Sequence, residues 1–188
     1  MRTKLLLLLC LALAPVAQAE SDFHTYTSVE QLIESGRVET LTVVTGNLQF
    51  TLRPPRGWSR HADEAGRKII FTGKSGRSAI TMQFTADSPG KLPAEDVLRA
   101  KALQAHPGSG IMAGGVCSTS SQPGVCFDLV RIPAPNMVQK MYHAFVPQPN
   151  GQVEFVLTAP DDEFGRGRIV ITDMLRTFRV APLKPKQP

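Results

Sequence analysis

Within residues 78 to 85 apolar and polar side chains come to alternate: Ile80, Met82 and Phe84 with Thr81, Gln83 and Thr85. A two-residue period places the two sets on opposite faces of an extended chain, so the run predicts a strand with one dry and one wet face. The same reading holds for 38–44 and 48–52, which flank Thr45-Gly46-Asn47, and for 68–72, joined to 78–85 through Gly73-Lys74-Ser75-Gly76. Apolar-rich runs at 111–116, 125–132, 138–146 and 153–159 follow, broken by turns such as Pro147-Gln148-Pro149-Asn150-Gly151. Such a succession constrains the chain to an antiparallel meander. Arg53-Pro54-Pro55-Arg56-Gly57-Trp58 interrupts it, because consecutive prolines cannot donate to a ladder, and Trp58 is expected to fold back as a core anchor.

Three segments read as helix. Ser28-Val29-Glu30-Gln31 has the form of a capping box, with Gly36 closing a short helix over 28–35. Leu92-Pro93-Ala94-Glu95-Asp96 opens a second, with Pro93 in its first turn, two acids at the positive end of the dipole and a stripe of Ala94, Val97, Leu98 and Ala102. His106-Pro107-Gly108 ends it. The third follows Pro160, with Asp161, Asp162 and Glu163 at its start and Phe164, Ile171, Leu175 and Phe178 along one side. Residues 181–188 read as a disordered tail.

At the N-terminus, Arg2 and Lys4 precede an apolar run from Leu5 to Val16, and Ala17-Gln18-Ala19 completes a secretory signal at residues 1–19. The run is shorter than the roughly 20 residues a span requires, and Pro15 interrupts it. A lipoprotein with Cys10 as the acylated residue is disfavoured by the bulky Leu7, Leu8 and Leu9. Cleavage leaves 19 basic against 16 acidic residues, a net charge of +3 instead of +5. The expected organisation is a signal peptide (1–19), an N-terminal extension with a short helix (20–37), one domain (38–180) and a tail (181–188). The mature chain is expected to be exported, either periplasmic or secreted.

The segment 48–58, the middle region of strand and helix, Val125 to Val130 after Gly124, and the stretch from Glu154-Phe155-Val156-Leu157-Thr158 to Thr177-Phe178-Arg179 resemble the PsbP/Mog-type superfamily. That resemblance implies an α+β fold in which an antiparallel β-sheet is flanked by helices on both faces, an α/β/α sandwich. The superfamily includes an extrinsic photosystem subunit, a Ran-binding factor and the bacterial DcrB-like envelope proteins, which implies docking onto other proteins. It transfers no catalytic residue to this chain. The DcrB group is lipid-anchored, whereas this chain lacks a lipobox, and the helix at 28–35 is an addition to the pattern.

Cys117 and Cys126 are the two cysteines left after cleavage, and export invites a structural disulfide between them. The Cys-x-x-Cys spacing of redox catalysts is absent. Gly73-Lys74-Ser75 ends like a P-loop, but Lys68 stands where the first glycine belongs and a strand follows. Gly108-Ser109-Gly110-Ile111-Met112-Ala113 has dinucleotide-loop spacing in the reverse context, after a helix and before a strand. No Gly-x-Ser-x-Gly occurs, and His24, His61, His106 and His143 are scattered singly. Asp22 with His24, and Asp161 to Glu163, are explained as a terminal segment and a helix start. We therefore expect no catalytic residue, metal or cofactor.

Basic residues concentrate in Arg53, Arg56, Arg60, Arg67, Lys68, Lys74 and Arg77, against Asp63 and Glu64 alone in that stretch. The plain reading is a solvated charged face; the functional one is a candidate interaction surface suited to an anionic partner, including Trp58 if the indole is exposed. Nucleic acid is not expected, because interleaved aromatics are lacking. The function expected is a non-enzymatic accessory or protein-interaction domain of the bacterial envelope with a protein partner. The alternatives are a carrier of an apolar or lipid-like ligand, with Phe50, Phe84, Phe127 and Phe155 facing it, and an enzyme whose polar cleft gathers His143, Asp128 or serines.

Overall fold

In the computed structural model, residues 22–32, 36–86 and 90–183 are described. The segment 1–19 expected to be a signal peptide, with Cys10, and positions 184–188 lie outside them. Among the described residues eleven strands and two helices run in the order β1 (Phe23–Leu32), β2 (Gly36–Thr45), β3 (Leu48–Leu52), β4 (Ser59–Asp63), β5 (Lys68–Thr72), β6 (Ala79–Thr85), α1 (Glu95–Ala105), β7 (Gly110–Cys117), β8 (Gly124–Ala134), β9 (Met137–Gln148), β10 (Gly151–Pro160), α2 (Asp161–Thr177) and β11 (Arg179–Pro182). They form a four-stranded sheet, β1-β2-β3-β11, and a seven-stranded sheet, β4-β5-β6-β10-β9-β8-β7. Every neighbouring pair is antiparallel.

The two-residue period accounts for the main core. Ile80, Met82 and Phe84 of β6 point the same way as Val153, Phe155 and Leu157 of β10, and meet Leu41, Val43 and Phe50 of the smaller sheet. Ile171, Leu175 and Phe178 close this core from α2 and the residue after it. Phe178 lies 6.0 Å from Phe50 and 5.2 Å from Phe155, centroid to centroid, and so bridges the two sheets. A smaller core lies on the opposite face, where Leu98 and Ala102 of α1 cover Phe127, Leu129, Met141 and Phe145.

This differs from the expected sandwich in two respects. A second sheet shares one face of the large sheet with α2, and α1 covers only the part of the other face around β8 and β9. Thr81, Gln83 and Thr85 remain half-buried there, polar enough to need no cover.

Two terminal segments also depart from expectation. Of the segment read as a capped helix, residues 28–32 are the latter half of β1, paired with β2 from Phe23↔Thr45 to Leu32↔Gly36, and residues 33–35 lie outside the described residues. Helices of that length are marginal alone, and Thr25, Tyr26, Thr27 and Val29 favour a strand once a partner offers a full ladder. Gly36 uses its positive φ of 66° to start β2 rather than to cap a helix. Ala181 and Pro182, assigned to the tail, pair with Gln49 and Leu48. Pro182 is tolerated because β11 is an edge strand.

Candidate functional site: an arginine-lined groove

Past Leu52 the chain must leave the small sheet and enter the large one, and the two prolines make that crossing stiff. The Arg53 amide donates to Thr177 Oγ1 at 3.1 Å, which pins the loop to the end of α2. The Trp58 amide donates to the Pro55 carbonyl at 3.3 Å, and Gly57, with φ 73°, completes the turn into β4. Trp58 is half-buried against the main core and lies over Gly73. It is thus an anchor with one part of its indole still accessible.

The crossing leaves a groove of about 500 Å³ between the sheets. Val38 and Phe71 form its apolar floor, Pro54, Pro55 and Trp58 its wall, and Arg37, Arg53, Arg56 and Arg60 bring four guanidinium groups to it. Arg60 lies 3.6 Å from Glu39 and donates to Thr27 Oγ1 at 2.8 Å. Arg37, Arg53 and Arg56 have no carboxylate partner among the described residues. A concave site of this size, with an aromatic wall and unpaired guanidinium forks, is chemically suited to carboxylates or phosphates.

The basic stretch therefore divides. Arg53, Arg56, Arg60 and Trp58 come together, and the Lys74 side chain lies over Gly57 at the rim. Arg67 turns away to Asp22, at 3.7 Å, and to the Thr45 hydroxyl. Lys68 pairs with Asp63 at 3.2 Å; the Gly66 amide and then Lys68 hold the Asp63 carboxyl below its ordinary range. Arg77 forks onto Asp162 at 2.8 and 3.0 Å and reaches Glu163 at 3.3 Å. Sequence reasoning missed Arg37, which reaches the groove from β2, some sixteen positions ahead of Arg53.

The acids at the start of α2 are engaged as well. Asp161 accepts from Lys140 at 2.6 Å, and Glu163 accepts from the Ser75 hydroxyl at 2.9 Å and from Ser78. Among the described residues no three His, Cys, Asp or Glu side chains are placed to hold a metal. His143 and Asp128 lie on opposite faces of the large sheet, since His143 opposes Phe127 and Asp128 opposes Tyr142. Asp128 faces Arg168 of α2, at 3.3 Å, whereas His143 lies under α1. There His143 Nδ1 donates to Glu154 Oε1 at 2.9 Å, Lys101 of α1 reaches Glu154 Oε2 at 3.0 Å, and the His106 ring stands edge-on 4.9 Å from His143.

The expected Cys117–Cys126 disulfide is absent here: both are buried free thiols. Cys126 opposes Gly115 and Cys117 opposes Gly124, so the two are diagonal neighbours, spaced more widely than a directly opposed pair. They are nonetheless close enough to interact. The Cys117 sulfhydryl, followed by the Tyr142 hydroxyl, holds the Cys126 thiol low, while Cys126 and burial push Cys117 up. Arg168 stacks on the Tyr142 ring with its guanidinium carbon 3.4 Å from the centroid.

No family model matches the chain, and no curated protein matches it. Among solved structures, it is similar to LpqN of Mycobacterium tuberculosis, described as involved in cell envelope biogenesis, with a TM-score of 0.45 and 12% identity over 85% of this chain and 92% of that one. It is also similar to the cyanobacterial PsbP (CyanoP) of Synechocystis sp. PCC 6803, with a TM-score of 0.47 and 11% identity over 88% of this chain and 96% of that one. Likeness at this level carries no functional assignment. Among the described residues no helix is long and apolar enough to cross a membrane.

Proposed function

We propose that this protein is an exported, non-enzymatic accessory domain of the bacterial envelope that docks an anionic partner through the groove between its two sheets. The carrying observation is the gathering of Arg37, Arg53, Arg56 and Arg60 beside Trp58, three of them without a carboxylate partner among the described residues. Grouped like charges repel one another in the free protein, so an incoming anion gains from all of them. Export rests on the N-terminal signal. In an oxidising compartment, thiol–disulfide exchange with a disulfide-bearing oxidant would take two electrons and two protons from Cys117 and Cys126 and join them.

The carrier reading finds less support, because Phe50, Phe84, Phe127 and Phe155 are each at most 5% exposed and pack against other aromatic rings. Affinity capture from envelope extracts tests the leading reading, comparing the unmodified protein with an Arg53→Glu/Arg56→Glu variant. A reproducible partner lost by the variant is expected. Equal recovery by both proteins would refute the groove as the docking surface.

A further inference from the structure

The groove borders a strand whose outer side is unused. Among the described residues β4 is the terminal strand of the large sheet and pairs with β5 alone, from Ser59↔Thr72 to Asp63↔Lys68. Among the described residues no other backbone group bonds to residues 59–63, so the edge presents unpaired N–H and C=O groups. Ser59, Arg60 and His61 are exposed along it. Proteins usually protect such an edge, and the charge of Arg60 deters pairing between two copies. The same charge favours a strand of opposite sign.

We infer that the partner presents an extended acidic segment that adds to the free edge of β4 as a further strand, its carboxylates meeting the arginines of the groove. This rests on the groove reading above and specifies the partner's chemistry. An added strand sends every second side chain to one face. The face on which Arg60 meets Glu39 and Thr27 is the groove face, so alternate acids would reach Arg60, Arg37, Arg53 and Arg56. Trp58 lies on that same face, so the groove-facing side chains of the added strand would pass beside its indole. Main-chain bonds would supply affinity and the guanidinium forks specificity, the usual division in recognition by strand addition. A bilayer fits less well, because the arginines line a concavity rather than a projecting surface.

Trp58 is the only tryptophan of the chain, so its emission reports on the groove directly. The test titrates the full exported protein with a synthetic peptide alternating Glu and Val, with the same peptide N-methylated at alternate residues, with a phosphorylated disaccharide and with phosphatidylglycerol vesicles. The expected result is a saturable, salt-sensitive shift with the plain peptide, weakened at least ~tenfold by N-methylation, since each lost backbone bond is worth about 1 kcal/mol. The Arg53→Glu/Arg56→Glu variant should lose the response while keeping its circular dichroism. Equal binding of plain and methylated peptides would overturn strand addition and leave the anionic groove standing. So would a response to the disaccharide or the vesicles without one to the peptide. No response to any of the four anions would overturn both.

Discussion

Glu154 sits at 7% exposure, where an unpaired carboxylate would be costly, and its surroundings account for its charge. Burial pushes its pKa up, but the His143 hydrogen bond and Lys101 outweigh that and leave it below the ordinary value. Replacing Glu154 with Ala would strand the buried His143 ring nitrogen, while the exposed Lys101 ammonium turns to water. The expected cost is about 1–3 kcal/mol, measured by urea unfolding, with Glu154→Gln intermediate because it keeps one acceptor. His143 and Glu154 were individually visible in the sequence, but their pairing was not. They sit eleven positions apart on adjacent strands, and only the register of β9 against β10 brings their side chains together under α1.

Two elements hang on few contacts. α1 fully buries only Leu98 and Ala102, with Leu103 packed beside them and Arg99 over the Phe127 ring, and its polar attachments run through Lys101, Glu154, His106 and His143. Burial, and then the neighbouring His143 and Arg131, hold His106 below its ordinary value of 6.5. The unfolded chain therefore binds the His106 proton more readily than the folded one. That contribution is present above about pH 6.5 and is lost as pH falls below it. Glu154, also lowered, adds a second loss in the same direction at still lower pH. We expect hydrogen exchange in α1, corrected for intrinsic rate, to accelerate between pH 7 and pH 5 while β6 and β10 remain protected. An unchanged ratio would refute the link.

The other weakly held element is β7, an edge strand with residues 112–116 all exposed. Oxidation of Cys117 and Cys126 would close a short loop and stabilise the fold by about 2–3 kcal/mol. Comparing urea midpoints with and without reductant, alongside a thiol count on protein recovered from its exporting host, measures this. A reduced pair in that protein would rule the disulfide out. The helix expected at 28–35 illustrates the limit of local reading at this scale. Its capping signature is genuine as a pattern, yet a ten-residue ladder with β2 offered more hydrogen bonds than a two-turn helix.

At the scale of the molecule, Phe178 joins everything that the groove depends on. It contacts Phe50 in one sheet and Phe155 in the other, just beyond the end of α2, whose Thr177 holds the Arg53 amide. Phe178→Ala should cost about 3–5 kcal/mol. We expect the two sheets still to unfold in one transition, with Trp58 fluorescence and far-ultraviolet circular dichroism giving the same midpoint. Separate midpoints would mean that the smaller sheet is an independent unit.

Most strands of the large sheet were readable in advance because alternation is local: β5 is bounded by the residues expected, and β6 and β10 lie within one or two of them. β4 was not readable, since Ser59-Arg60-His61-Ala62-Asp63 has little apolar content and is a strand because β5 offers it an edge. The sequence by itself determined the antiparallel character, the two longer helices, the stiff Pro54-Pro55 crossing and the excess of arginine around it. Those properties follow from period, backbone restriction and charge within a few residues. Tertiary structure alone decided that there are two sheets, that Arg67 and Arg77 are taken up by acids elsewhere, and that Arg37 joins Arg53, Arg56 and Arg60 beside Trp58. Which cations stay unpaired depends on where carboxylates distant in the chain come to rest, and packing settles that.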